Sequence, residues 1–152
     1  FAAKLPAGTS QERAVSSVVS QWASVDPASA AAWVSNFPES NLRNQSVQNI
    51  ISSWAHSDPT ATGTWLQTMT PGKTRDSAVS QFVSSISYNE PQLAAAWAES
   101  ISDDQSRQNR MENVARQWLN QDATTARAWI EKCSLPAESK QRLIEQYSRM
   151  NN

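Results

Sequence analysis

The amino-acid sequence predicts an all-α fold, a right-handed α-α superhelix (solenoid) in which short and long helices pair as hairpins and the hairpins stack. Trp33, Trp65, Trp97 and Trp129 stand 32 residues apart and Phe1 lies one interval earlier, so a single aromatic position recurs five times. Val15, Val18, Val19 and Trp22 fall at i, i+3, i+4 and i+7, the spacing of one apolar stripe on a helix. Asp26-Pro27, Asp58-Pro59 and Glu90-Pro91 recur at the same interval as helix-start signals: an acidic side chain accepts from the open first-turn N–H groups, and proline fills a site that needs no donor.

Taken in order, the first long helix carries Val15 to Trp22 and spans about fifteen residues, with Ser and Gln on its other face. A short helix of about ten residues begins at Asp26-Pro27, carries Ala30, Trp33, Val34 and Phe37, and stops near Pro38, whose ring disfavours a helical residue before it. Val47, Ile50, Ile51 and Trp54 repeat the long stripe, and Asp58-Pro59 with Trp65 repeats the short one. Gly8 and Pro71-Gly72 mark the turn between short and long helices. Val79, Val83 and Ile86 then Trp97, and Met111, Ala115 and Trp118 then Trp129, complete two more units. A last long helix runs from about Ala137 to Met150. Positions that share this 32-residue offset form columns, and one column, Leu5, Phe37, Met69, Ile101 and Cys133, stays apolar while its identity drifts.

Ala30, Ala31 and Ala32, Thr62, Gly63 and Thr64, and Ala94, Ala95 and Ala96 flank the short-helix tryptophans and permit close helix approach. A lone hairpin leaves one apolar face bare, so the hairpins are expected to stack. The whole of 1–152 reads as one helical-repeat domain of about four and a half units. Phe1 occupies the Trp33 column, so the repeat phase opens inside a short helix, and the chain is expected to be a segment of a longer protein.

Composition narrows the function. Thirteen basic and fourteen acidic side chains leave a formal charge of −1, which provides no cationic field for nucleic acid. No apolar run approaches the ~20 residues that cross a bilayer, so no membrane insertion is expected. The single Cys133 closes no internal disulfide. Few lysines and many Ser, Gln and Asn are compatible with a location outside the cytoplasm, which composition leaves undecided.

The string Trp22-Ala23-Ser24-Val25-Asp26-Pro27-Ala28-Ser29-Ala30-Ala31-Ala32-Trp33 resembles the junction between consecutive tetratricopeptide units, and the match recurs around Asp58, Glu90 and Asp122. It departs from that family in its interval of 32 rather than 34 and in Phe37-Pro38, which stands near the family's usual Leu-Gly step. The pattern is also similar to Trp- and Asp-Pro-rich helical repeats of large bacterial proteins. These resemblances imply a non-catalytic scaffold for a protein or peptide partner, which includes further repeats of the same chain. Two other readings stand beside it: a self-assembling element of an extended structure, and a positioning domain of an enzyme, such as a cell-wall hydrolase, whose active site lies outside these residues.

Candidate sites follow from the columns. All seven tryptophans fall on apolar stripes and are expected in the core. Arg43, Arg75 and Arg107 form a guanidinium ladder near the long-helix starts, suited to clamping carboxylates or phosphates, or to pairing between repeats with acidic neighbours such as Glu39, Asp76 and Asp103. Ser17, Asn49, Gln81 and Asn113 form a polar line, with Ser16, Gln48, Ser80 and Glu112 beside it; stacked, they would hydrogen-bond an extended chain. Asn49, Gln81, Asn113, Arg43, Arg75 and Arg107 are therefore the candidate binding residues. His56 and Cys133 lie in different columns and suggest neither a zinc site nor a nucleophilic pair. Asp103-Asp104, and Glu138 with Glu145, are the carboxylate pairs that could in principle act as acid and base; Asp103-Asp104 sits in the turn before a long helix and reads as a cap. Glycines at 8, 63 and 72 build no phosphate loop. No catalytic residues, metal or cofactor are expected.

Overall fold

The computed structural model describes the backbone of residues 9–150 and the side chains of residues 12–150. Phe1, Leu5 and Gly8 lie outside the described residues. The protein is all-α, with long and short helices alternating: α1 (Thr9–Ala23), α2 (Pro27–Ser35), α3 (Asn41–Ser57), α4 (Pro59–Gln67), α5 (Lys73–Ile86), α6 (Pro91–Glu99), α7 (Asp104–Gln121), α8 (Ala123–Lys132) and α9 (Ala137–Met150). The short helices hold nine or ten residues and the long ones fourteen to eighteen.

The chain divides into two compact units, one ending at Thr70 and the other beginning at Pro71. In the first, α1 and α3 lie side by side, α2 packs on both, and α4 packs on α3. Its core is Val15, Val19, Ala30, Ala31, Val34, Val47, Ile50 and Ile51. In the second, α5, α7 and α9 form a row of long helices, α6 sits against α5 and α7, and α8 against α7 and α9. Phe82, Ile101, Met111, Leu119, Ile130 and Leu143 are its largest fully buried side chains. Of the small residues flanking the short-helix tryptophans, Ala30, Ala31, Thr62, Gly63, Ala94 and Ala95 are buried, whereas Ala32, Thr64 and Ala96 face outward; on α6 it is Ala98 that joins Ala94 and Ala95 on the buried face.

The caps are real hydrogen bonds. Asp26 accepts from Ser29 N at 3.0 Å, Asp58 from Ala61 N at 2.8 Å, and Asp122 from Thr125 N at 3.1 Å. Each satisfies a donor that the helix itself leaves open. Glu90 makes no such bond, because its longer side chain does not hold the geometry that Asp offers, and Pro91 alone marks that start. Asp103 caps α7 through Ser106 N at 2.8 Å. Gly72 precedes α5 at φ +150°, in the region that L side chains rarely adopt, so this turn depends on the absence of a Cβ.

The aromatic columns meet across the Asp-Pro turns. Trp22 lies 5.9 Å from Trp33, Trp54 6.1 Å from Trp65, and Trp118 5.8 Å from Trp129, all as tilted pairs. In the third unit Ile86 replaces the first ring, and Trp97 instead meets Phe82 edge to face at 5.5 Å. Burial of the seven rings is graded. Trp54 and Trp118 are buried at 7% and 4%, Trp65, Trp97 and Trp129 are half-buried, and Trp22 and Trp33 stand 36% and 37% exposed.

Two predictions follow from this packing. Trp118→Ala is expected to lower stability by about 3–5 kcal/mol in urea unfolding, the range for large-to-small changes in a core, and Trp22→Ala by less than half of that. The second concerns acid. The Ser29, Ser106 and Thr125 side chains and backbone N–H groups hold Asp26, Asp103 and Asp122 below the usual carboxylate range. Their stabilisation is therefore complete above the unfolded value of about 3.9 and is lost as pH falls through the lower folded values. Asn caps comparably without titrating. The triple variant Asp26→Asn, Asp103→Asn, Asp122→Asn should keep its helicity at neutral pH and show a flatter loss of thermal stability between about pH 5 and about pH 2.

Candidate functional site

The six candidate binding residues are divided between the two units, Arg43 and Asn49 in the first and Arg75, Gln81, Arg107 and Asn113 in the second. Arg75 and Arg107 serve the turn between α6 and α7. Arg75 donates from a terminal nitrogen to Ser100 O at 3.1 Å, and Arg107 donates to Ile101 O at 2.9 Å while pairing with Asp104. The two guanidinium groups thus satisfy the carbonyls of Ser100, the cap that closes α6, and of Ile101 in the turn beyond it, and complement the dipole of α6. Asp76 is buried and works on the same turn from the other side, accepting from Ser102 N and Asp103 N at 3.0 Å each. Two members of the arginine ladder therefore hold a turn through backbone carbonyls, and neither makes an ion pair with Asp76 or Asp103.

Arg43 is half-buried on α3, with its Nε buried and without a hydrogen-bond partner. Asn49, also on α3, makes a long 3.5 Å hydrogen bond to Ser20 on α1. Gln81 is half-buried on α5. Asn113 is exposed on α7 and lines a polar depression of its unit.

That depression, about 420 Å³, is bounded by Ser80 of α5 and by Ser106, Asn109, Arg110, Asn113 and Arg116 of α7. A second recess of about 170 Å³ shares Arg110 and Asn113 and continues along Ser84, Ser87 and Gln117 over the apolar floor of Val83 and Val114. Together they make a groove along two adjacent long helices. Stacking explains its position, because Ser87 donates to Gln117 Oε1 at 2.7 Å and Arg110 donates to Ser84 Oγ, so cross-helix bonds fix both walls.

The groove is cationic and only partly neutralised. Arg110 makes no ion pair among the described residues. Arg116 donates to Asn113 Oδ1 at 2.8 Å and stands 3.6 Å from Glu112 Oε2, a carboxylate whose other oxygen already accepts from Arg142 and Ser139 at 2.8 Å. No Asp or Glu lines either recess. The comparable depression of the first unit, about 580 Å³ along Glu12, Arg13, Ser16, Ser17 and Gln45, carries one charge of each sign.

In chemical terms the α5/α7 groove offers guanidinium forks for a carboxylate, amides for a peptide backbone and hydroxyls of either sense. Neither histidine nor cysteine lines it. His56 Nδ1 bonds Ser52 O at 2.9 Å, a carbonyl of its own helix. Cys133 closes α8, with its Sγ 3.2 Å from Ile130 O and its thiol pushed up by burial, in keeping with the apolar column it occupies. Among the described residues, no three His, Cys, Asp or Glu side chains gather to hold a metal ion, and no helix is long and apolar enough to cross a membrane.

Arg110 and Arg116 were missed by reading columns alone. Arg110 shares its column with Ala14, Ser46, Ala78 and Arg142, so no polar line passes through it. The signal that finds it is local: Ser106, Asn109, Arg110, Asn113 and Gln117 recur at i, i+3, i+4, i+7 and i+11, a polar stripe on the side of α7 adjoining α5. Compared with family models, with curated proteins and with solved structures, the chain matches none.

The doubly bonded Asp76 yields a prediction about the scaffold beneath the groove. Asp76→Ala should cost about 1–3 kcal/mol, the range for losing hydrogen bonds to a charged group. Amide hydrogen exchange at Ser102 and Asp103 should accelerate in that variant before exchange in the middle of α7 does.

Proposed function

We propose that this chain is a non-catalytic scaffold whose helical hairpins stack as a solenoid and hold an extended, acidic segment of a partner protein along α5 and α7. One observation carries the reading: Arg110, without a carboxylate partner, lies in a groove with Asn113 and Arg116 that no acidic side chain lines. Electrostatic complementarity of this kind selects partners and speeds their encounter. The groove runs along two parallel rows of polar side chains, which suits an extended chain better than a compact small molecule. Its floor is apolar only at Val83 and Val114, so affinity comes from charge-assisted hydrogen bonds above a narrow apolar strip. The similarity of the Trp22 to Trp33 string to tetratricopeptide junctions supports the same class of role.

The test is fluorescence anisotropy with a labelled decapeptide of alternating Glu and Ser, set against its Gln-Ser counterpart. The acidic peptide should bind and the neutral one should not, with affinity falling as salt rises. Arg110→Ala should weaken binding roughly tenfold or more, the worth of a hydrogen bond to a charged group, and Asn113→Ala by a smaller factor. Equal affinity for both peptides, or an Arg110→Ala variant that binds as well as the parent, would remove the groove from the account.

A further inference from the structure

We propose that the depression between α5 and α7 is a phosphoryl-binding site, and that the partner segment held in the groove is one phosphorylated on serine or threonine. This deepens the reading of the groove as a seat for an acidic chain and rests on it. What separates a phosphoryl group from a carboxylate here is the sense of the hydrogen-bonding groups. Asn109 Oδ1 already accepts from Gln105 Nε2 at 3.1 Å, and Asn113 Oδ1 accepts from Arg116 at 2.8 Å. With both carbonyl ends engaged, the two amides offer a ligand chiefly their NH2 groups. Arg110 gives one bond to Ser84 Oγ and retains most of its donors.

The carboxylates nearest in sequence are held elsewhere. Asp103 caps α7 through Ser106 N, Asp104 pairs with Arg107, and Glu112 accepts from Arg142 and Ser139. Two guanidinium groups, two amide NH2 groups and the hydroxyl of Ser80 therefore border a space of about 420 Å³ that no acceptor-only side chain lines. Ser106 lines it as well, with its hydroxyl engaged by Asp103. Ser80 stands on α5 and the other donors on α7, so they face a ligand from two sides and not from one plane.

A carboxylate presents two oxygens in one plane and a single charge. A phosphoryl monoester presents three acceptor oxygens in a pyramid and a charge of about −1.5 to −2 at neutral pH. It can engage Arg110, Arg116 and the amides together, and it balances two guanidinium groups where one glutamate balances one. Arg116 also stands 3.6 Å from Glu112, which leaves Arg110 as the principal anchor. The depression of the first unit does not offer the same site, because Glu12 lines it and repels a dianion.

Fluorescence anisotropy with two labelled decapeptides of alternating Gln and Ser tests this. One carries a central phosphoserine; the other carries glutamates in place of the two Gln that flank that serine, and so has nearly the same charge. The phosphopeptide should bind roughly tenfold more tightly or better. Arg110→Lys keeps the charge and loses the planar fork, and should weaken the phosphopeptide by about tenfold. Asn109→Ala, on an exposed position of α7, should weaken it severalfold and leave the diglutamate peptide unchanged.

Equal affinity for the two peptides would overturn the phosphoryl assignment and leave the groove an acidic-peptide site. Binding of neither peptide, nor of the alternating Glu-Ser decapeptide, would remove both readings. Phosphopeptide binding that Arg110→Lys and Asn109→Ala both leave intact would place it elsewhere and overturn the assignment. Inorganic phosphate that displaces the phosphopeptide at a concentration near the peptide's own Kd would make this a site for the free ion. Flotation with vesicles of phosphatidylcholine and phosphatidic acid, lost in Arg110→Lys and without phosphopeptide binding, would assign it to a lipid headgroup; either result overturns a partner segment as the ligand.

Discussion

The contact on which the rest depends is the meeting of a ring near the end of a long helix with a ring on the short helix that follows. Three of the four described turns place two tryptophans about 6 Å apart across an Asp cap, so the bend and the apolar contact are set together. The cap directs the chain out of one helix and into the next, and the ring pair sets the angle at which the short helix returns. Burying ~200 Å² of indole at about 25 cal/mol per Å² gives a gross stabilisation near ~5 kcal/mol, an upper estimate that well exceeds the ~1 kcal/mol of a cap. The rings therefore supply most of the energy, and the caps supply the register in which it is released.

The third unit shows how far that constraint can bend. Ile86 removes the first ring and Glu90 removes the cap bond, yet α6 begins with proline as its equivalents α2 and α4 do. Phe82, one turn earlier on α5, is fully buried and restores an aromatic partner for Trp97 from a different direction. The adjoining turn compensates further, because Arg75, Asp76 and Arg107 tie residues 100–103 by side-chain bonds to backbone. Where ring and cap fail, polar side chains take over the fixing of a turn.

Helix boundaries, caps and most of the core were legible because each is written several times at one interval. Asp26, Asp58 and Asp122 announce helix starts, and Val15, Val47, Val79, Met111 and Leu143 announce a buried stripe. Recurrence does not report what lies beside a given unit, which is why Trp22 and Trp54 read alike and differ fivefold in exposure. Two members of the arginine ladder answer a local demand that the columns do not show. A basic residue at the start of a long helix opposes the dipole of its own helix, and Arg75 and Arg107 resolve that conflict by reaching the carbonyls at the end of α6.

The groove combines both kinds of position: Ser80 and Asn113 belong to recurring polar lines, whereas Arg110 departs from the small residues of the three preceding units. A position repeated at every interval is held by what all units share, namely apolar contact, capping and close approach. A position that changes between units is released from those demands and is available for something else. Arg110 follows Ala14, Ser46 and Ala78 in its column, where small side chains suffice, and shares it with Arg142; Val25 stands in a column of Ser57, Asn89 and Gln121, where polar ones do. The first adds charge and the second removes polarity, each at a site where the fold demands neither. The columns of the sequence thus carry the demands of helix packing and capping, and at Arg110 and Val25 those demands do not account for the side chain found.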